Sequence, residues 1–600
     1  MKSFDFSHWN SAVPTEGLLF FAQSMEEMLF HYGHDSLKVP ALNFRFLCIE
    51  LCNTISKIEA DVIDKGNMRP LFEELKETFV CDPIAKQLYG SDFDSLFFSK
   101  NSDGEIQRNC SDIFKDPCSE ASIKRIKRVV TYLLRDMDIE DKYFITLKLK
   151  ITETIKTIPF GFDEQEMLYR LNRILLTDLI NCSYSQEYIY WVVNTIFYNR
   201  QKHINDIDEA LEQFWLCFDF EEKSFTVVLP LKLSELRRHL ENFQNISVKE
   251  NVKKLFKNTC KWVIELDVEA MDPQNAQSNA TALVSFFVSL LQYNNHKSQS
   301  FSADHAIVID KKTDKEYNLQ APIMPLKRGA NLGAEKNNEK TALMVNNFSF
   351  SPGKLVNVIE LHSSAINSTD IGNQLLNLWT IIEVLVPTEP RNSYSKINQI
   401  CNIVTSVLNA QYISSLLEQL LLDLRHCVPE VIKREFLDIQ LGKNDIERTA
   451  AMLVLPQYKK QRQRIVEALN SYPLLQYRME HYAVTFLDRA HIKDFLTAHR
   501  KRLSWHIMRI YRNRNMIVHD GSHFPYIDII VQNLHHYVDV LIDTINLYAY
   551  IGYRSIDTIY TVLQQNEYKY IISLEEKSND GSLKTVTNDN FAAIVLGYLK

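Results

Sequence analysis

The stretch Tyr511-Arg-Asn-Arg-Asn-Met-Ile-Val-His-Asp-Gly521 ends a long helical pattern. Apolar side chains lead into it at Leu496, Leu503, Ile507 and Ile510, and Ile517 continues them. These steps are of the kind that align on one helix face. Arg514 falls on the same stripe. A guanidinium facing a core is costly unless it is paired. The stretch therefore predicts a helix whose apolar face carries an arginine, with either a carboxylate partner or a wet cleft around it. Gly521 suits the left-handed residue that stops a helix.

His519 lies five residues after Arg514, about 7.5 Å of rise and about 140° of turn along a straight helix. The two side chains do not stack, but a long arginine and a histidine at a fraying end can converge on one phosphate. Asn515 adds an uncharged donor and acceptor. Imidazole exchanges protons near neutral pH. A guanidinium holds and neutralises a phosphorane-like transition state. Together they are a kit for RNA cleavage without metal. With 17 histidines in 600 residues, however, the spacing alone recurs by chance. The bland alternative is an arginine in a structural ion pair beside a polar helix-terminal histidine.

Six hundred residues exceed one hydrophobic core, and roughly two to four domains are expected. A net charge of −8 excludes a chain that is basic throughout, so any nucleic-acid contact must come from local patches. Ten cysteines form no even framework, and Met1-Lys2-Ser3-Phe4-Asp5 leads into no signal-like apolar run. Reduced thiols, a cytoplasmic location and no membrane contact are the expectation. Apolar runs such as Ala280–Gln292 fall short of a span of about 20 residues. Plentiful aromatics with sparse Gly and Pro point to a helix-rich protein.

Taken in order, residues 1–210 read as a helix-rich N-terminal region. Helical periodicity appears at Leu18–Tyr32, Leu42–Ile58, Ile123–Leu134, Glu164–Leu179 and Glu187–Tyr198. The turn-rich insert Phe93–Pro117 interrupts them, and Tyr143–Ile151 alternates like a strand. Residues 211–330 read as a small α+β domain. Phe214–Phe220 and Ser224–Leu229 suggest a hairpin, Leu233–Phe243 a helix, and Trp262–Val268, Ala306–Asp310 and Glu316–Gln320 strands. Asp272 and Pro273 open a helix over Asn275–Gln292. A linker is expected at 331–353, within the weakly periodic stretch Lys327–Gly353.

Residues 354–560 read as a helical domain: Ile371–Val386, Lys396–Leu408, Tyr412–Leu424, Asn444–Leu469 divided at Pro456, Asp494–Val518 and Tyr526–Tyr550. The remainder, 561–600, is a C-terminal tail, polar beyond about Tyr570 until a short docking element at Phe591–Leu599. The fold class is thus mainly α with an α+β part.

Arg514-Asn-Met-Ile-Val-His519 resembles the Arg-Asn-x3-His signature of HEPN-domain ribonucleases, and its surroundings look like the Apea-like branch of that family. Leu375-Leu-Asn-Leu-Trp-Thr-Ile-Ile-Glu-Val-Leu385 is similar to the first helix of such domains, with Trp379 and Glu383 four apart. The resemblance covers roughly residues 350–560. It implies a helical bundle that dimerises and brings two motifs together across a two-fold axis. It implies metal-independent endoribonuclease activity, in which the substrate's own 2′-hydroxyl attacks and leaves 2′,3′-cyclic phosphate and 5′-hydroxyl ends. Many such proteins are toxins or effectors of anti-phage defence by abortive infection, acting on RNA such as tRNA or mRNA. A phage-derived trigger is one implied partner, and by the same analogy the residues before about 330, with 1–210 foremost, would sense it, position substrate or restrain the nuclease. No cofactor is implied. Carried over by position, Arg514 and His519 are the catalytic pair and Asn515 supports them. Glu383 is a further candidate, as the carboxylate partner of Arg514. The alternative is a non-catalytic HEPN-type protein that dimerises or binds RNA.

Arg509, Arg512 and His523 would extend an RNA-contact patch. The basic runs Lys124–Arg128 and Lys459–Arg464 read first as solvated helix faces, and alternatively as tracks for an RNA backbone. Cys48-x3-Cys52 and His31-Tyr-Gly-His34 lack the further ligands a zinc site requires. No nucleotide-binding or nucleophile-elbow motif is present.

Overall fold

The structure is a computed structural model that describes residues 9, 15–29, 37–97, 111–199, 204–231, 240, 246–251, 256, 260–295, 305–320, 352–368, 370–387, 393–522, 524, 526–577 and 585–597. The chain is mainly α with an α+β part, and it divides into two compact units. One joins Met1–Thr177 to Pro325–Lys600, and the other is Asp178–Met324.

The first part of the larger unit supplies α1 (Glu16–Leu29), α2 (Phe44–Glu59), α3 (Met68–Cys81), α4 (Pro83–Tyr89), α5 (Ser111–Lys115), α6 (Glu120–Asp138), α7 (Lys142–Ile155) and α8 (Phe162–Asn181). The strand expected at Tyr143–Ile151 is helix α7. Its apolar residues satisfy both a two-residue and a four-residue period. The fold uses the second, burying Tyr143, Leu147, Ile151 and Ile155 and leaving Ile145 and Leu149 exposed.

In the smaller unit, α9 (Gln186–Phe197) and α10 (Ile207–Trp215) precede β1 (Lys223–Leu231), β2 (Ile246–Glu250) and β3 (Trp262–Ala270). Then follow α11 (Pro273–Asn295), β4 (His305–Asp310) and β5 (Glu316–Gln320). The strands form one antiparallel sheet in the order β2-β3-β1-β4-β5. Phe225, Val227, Leu229 and Leu231 share one face of β1 and pack under Ala276, Ala280, Val284 and Val288 of α11. Small residues at four-residue spacing let that helix lie close to the sheet. Asp272 Oδ1 caps α11 by accepting from the Asn275 N–H at 2.8 Å. The hairpin expected around Glu221–Lys223 does not form. Phe214 belongs to α10, whose N-terminus Asp206 caps, and β1 pairs instead with β3 and β4. Most of the helix expected at Leu233–Phe243 lies outside the described residues.

The larger unit resumes with α12 (Pro352–Asn367), α13 (Ile371–Leu385), α14 (Ser393–Cys427), α15 (Pro429–Leu437), α16 (Asp445–Val454), α17 (Lys459–Ala468) and α18 (Pro473–Thr485). It ends with α19 (Arg489–Asp520), α20 (Ile527–Ile551), α21 (Ile556–Glu575) and α22 (Phe591–Leu596). Residues 327–351 of the expected linker lie outside the described residues, and α12 begins at Pro352. The helices expected at Lys396–Leu408 and Tyr412–Leu424 are the single α14, because Asn409, Ala410 and Gln411 contain no breaker. Its Lys396–Cys427 stretch is long and apolar enough to cross a membrane by composition, longer than the runs noted in the sequence. Most of it is buried against α16, α18, α19, α20 and α21, as a core helix would be. The helix before the tail runs on to Glu575, and α22 forms within the docking element expected at Phe591–Leu599. Leu563 and Leu574 of α21, and Phe591, Ile594, Val595 and Leu596 of α22, are buried.

The expected domain boundary at residue 210 is also corrected. Residues before 178 pack into the same unit as the C-terminal helices. Arg478 of α18 shows why: it is buried between Glu27 of α1 and Asp423 of α14 and bonds both. Gln23 of α1 adds a bond from Nε2 to the Ser471 carbonyl at 2.8 Å.

Candidate functional site

Helix α19 positions the motif. Asp488 caps its start by accepting from the His491 N–H at 2.9 Å. Gly521 ends it at φ +62°, in the left-handed region, and its N–H bonds the Ile517 carbonyl. The first helix of the resemblance, α13, lies alongside. Trp379 is buried with its ring 5.7 Å from that of Tyr511, and a side chain at Gly372 would meet Ile517.

The arginines of α19 divide sharply. Arg512 donates from Nη2 and Nε to Glu50 Oε1 at 2.7 and 3.2 Å. Arg509 donates from Nε to Glu50 Oε2 at 2.9 Å and from Nη2 to Glu74 Oε2 at 2.6 Å. Both guanidiniums are buried, at 3% and 2% side-chain exposure. Burial pushes the Glu50 carboxyl up, but Arg509 and Arg512 outweigh it and hold it below the usual carboxylate range. Burial lifts Glu74 above that range despite Arg509, with the Glu50 charge adding to the lift. Two carboxylates from α2 and α3 thus neutralise two arginines of α19. Arg509 and Arg512, expected to extend an RNA-contact patch, are instead engaged by these buried carboxylates, and Arg509 also lines a cavity beside α19. His523 lies outside the described residues.

Arg514, two residues on, is half-buried and makes a bond from Nη1 to Asn515 Oδ1 at 3.2 Å. Among the described residues no carboxylate pairs with it. The expected Glu383–Arg514 pair is absent, because Glu383 accepts from Lys396 Nζ at 2.9 Å. His519 is exposed in the last turn, between Val518, also exposed, and Asp520, which Lys57 of α2 engages. Arg514, Asn515 and His519 therefore occupy one helix end at the surface. A cavity of about 350 Å³ lies further back along α19, against Arg173, Arg502, His506 and Tyr537, and none of the three lines it.

The remaining basic runs are partly spent within the fold. Lys127 pairs with Glu59, Arg125 bonds the Phe97 carbonyl, Arg464 pairs with Glu435, and Arg462 bonds carbonyls at the end of α16. Cys48 is buried, Cys52 half-buried, and the described cysteines are free thiols. His31 and His34 lie outside the described residues.

Sequence reasoning missed Asn513 and Glu50. Asn513 is fully buried, donates to the Arg509 carbonyl at 3.0 Å and accepts from the Phe524 N–H at 3.5 Å, tying the following turn to the helix. Glu50 carried a legible signal. It lies three residues after Leu47 and four before Thr54 on the buried face of α2, and a carboxylate there requires a cation. Comparisons with family models, curated proteins and solved structures return no match to this chain.

Proposed function

We propose that this protein is a metal-independent endoribonuclease of the HEPN type, working as a homodimer in the cytoplasm as a toxin-like effector of anti-phage defence. The observation that carries the reading is the contrast within α19. Arg509 and Arg512 are neutralised by buried carboxylates, whereas Arg514 has none among the described residues and shares its helix end with Asn515 and exposed His519. A positive charge kept from internal pairing is available to an external anion, and a phosphodiester fits it. His519 exchanges the proton with the 2′-hydroxyl or the leaving 5′-oxygen, and Arg514 holds the phosphoryl oxygens as charge builds on them. Asn515 orients the guanidinium through its Oδ1.

The position of the three groups at the surface, outside the cavity along α19, favours a site completed by a second copy. Exposed Val518 beside them is an apolar side chain such a copy would cover. Residues 1–177 then serve as the wall that holds α19 through Glu50, Glu74 and Lys57, and the smaller unit is the candidate trigger-sensing part.

The test compares wild type with Arg514→Ala and His519→Ala for RNA integrity and cell growth after induction, and sequences the cleaved ends. Cyclic-phosphate ends with wild type and intact RNA with both variants support the reading. Variants as toxic as wild type refute it in favour of a non-catalytic dimerising or RNA-binding role.

A further inference from the structure

His362 of α12 and the pair His535 and Asp539 of α20 bring three ligand atoms to one point outside the motif. His362 Nε2 lies 3.0 Å from His535 Nε2 and 3.3 Å from Asp539 Oδ1. His535 Nε2 lies 3.7 Å from the same oxygen. His535 and Asp539 are four residues apart on one helix, so both face α12 across the same turn. Helix α13 packs against α12 and α20 alike and sets their separation.

Two imidazole nitrogens and a carboxylate oxygen converging on one point are a donor set that one cation can share. Bonds of about 2.0–2.2 Å to a divalent ion put neighbouring ligand atoms about 2.8–3.6 Å apart at octahedral to tetrahedral angles. Two of the three separations fall in that interval, and the third closes with a shift of a few tenths of an ångström.

We propose that His362, His535 and Asp539 bind one divalent transition-metal ion of the zinc class, which clips α12 to α20. Two imidazoles and one carboxylate suit zinc, cobalt, nickel or iron and are too nitrogen-rich for magnesium or calcium. Side-chain exposures of 22%, 19% and 47% leave the ion open to solvent on one side, where water completes its shell. The clip uses none of the residues assigned to RNA cleavage, so it stands whether or not that reading does.

The test uses the full chain, stripped with EDTA and dialysed. Calorimetric titration with Zn²⁺ is expected to give one ion per chain with micromolar or tighter affinity. Co²⁺ is expected to give a visible d–d band without thiolate charge transfer, which separates this site from the free cysteines. His535→Ala and the shape-preserving Asp539→Asn are expected to weaken Zn²⁺ by about 100-fold or more, since losing an outer-shell partner alone costs about 10–100-fold. Zn²⁺ is expected to raise the unfolding midpoint of wild type and not of the variants. Absence of binding, a cysteine-type band as the sole cobalt signal, or undiminished affinity in Asp539→Asn with native circular dichroism would each overturn the proposal.

Discussion

Arg512→Ala and Arg514→Ala alter neighbouring positions of one helix and are expected to fail in opposite ways. Arg512→Ala removes both donors to Glu50 Oε1 and leaves Glu50, Glu74 and Arg509 with a net negative charge in a site almost closed to water. Removing one partner of a buried ion pair costs about 3–5 kcal/mol, because the other charge remains unneutralised. Arg514→Ala strands no carboxylate and loses one contact to a neighbouring amide, so its stability cost is about 1 kcal/mol or less. Its cost to cleavage is about 100- to 1,000-fold, the usual loss when a transition-state donor is removed. Urea unfolding followed by tryptophan fluorescence reads the first effect, since Trp379 and Trp505 both lie in this unit. Cleavage of a labelled RNA, measured where each variant is folded, reads the second. Equal destabilisation by the two substitutions would refute the argument, because Arg514 would then be a structural charge like its neighbour.

Gly521→Ala forces a side chain into φ +62°; a cost of about 1 kcal/mol and fraying of the turn that carries His519 are expected, seen as faster amide exchange at Val518–Asp520. Asp82 is raised to about 6, chiefly by burial, against an unfolded value near 3.9, so the folded state binds the extra proton between those values. Its contribution is fully present below about pH 4 and declines by ~2–3 kcal/mol as pH rises through 6. Asp82→Asn is expected to flatten that part of the stability–pH curve, and an unchanged slope would disprove the assignment. Cleavage is expected to persist in excess EDTA. A loss that Mg²⁺ restores would rule out the metal-free reaction. Sedimentation at micromolar concentration is expected to show a dimer, and a monomer would remove the composite site.

The helical part of the fold was largely legible because period and punctuation agreed. Asp272-Pro273 opened α11 and Pro456 divided Asn444–Leu469 into α16 and α17, as expected. Reading failed where one apolar pattern served two periods, as in Tyr143–Ile151. It failed also where long-range pairing decided the structure, as with β1, whose neighbours β3 and β4 lie far along the chain. The candidate site was half legible. Its residue types and spacing were visible, and so was the anomaly of an arginine on an apolar stripe.

The sequence by itself determined that α19 is a helix, that Gly521 ends it, and that Arg514, Asn515 and His519 share its last turns, because helical period and terminator are local properties. The tertiary structure alone decided which arginines are free. Glu50 and Glu74 lie more than 400 residues from Arg509 in the chain and reach it only through the packing of α2 and α3 on α19. A charge's availability depends on desolvation and on partners within a few ångströms. Neither quantity exists until the chain has folded.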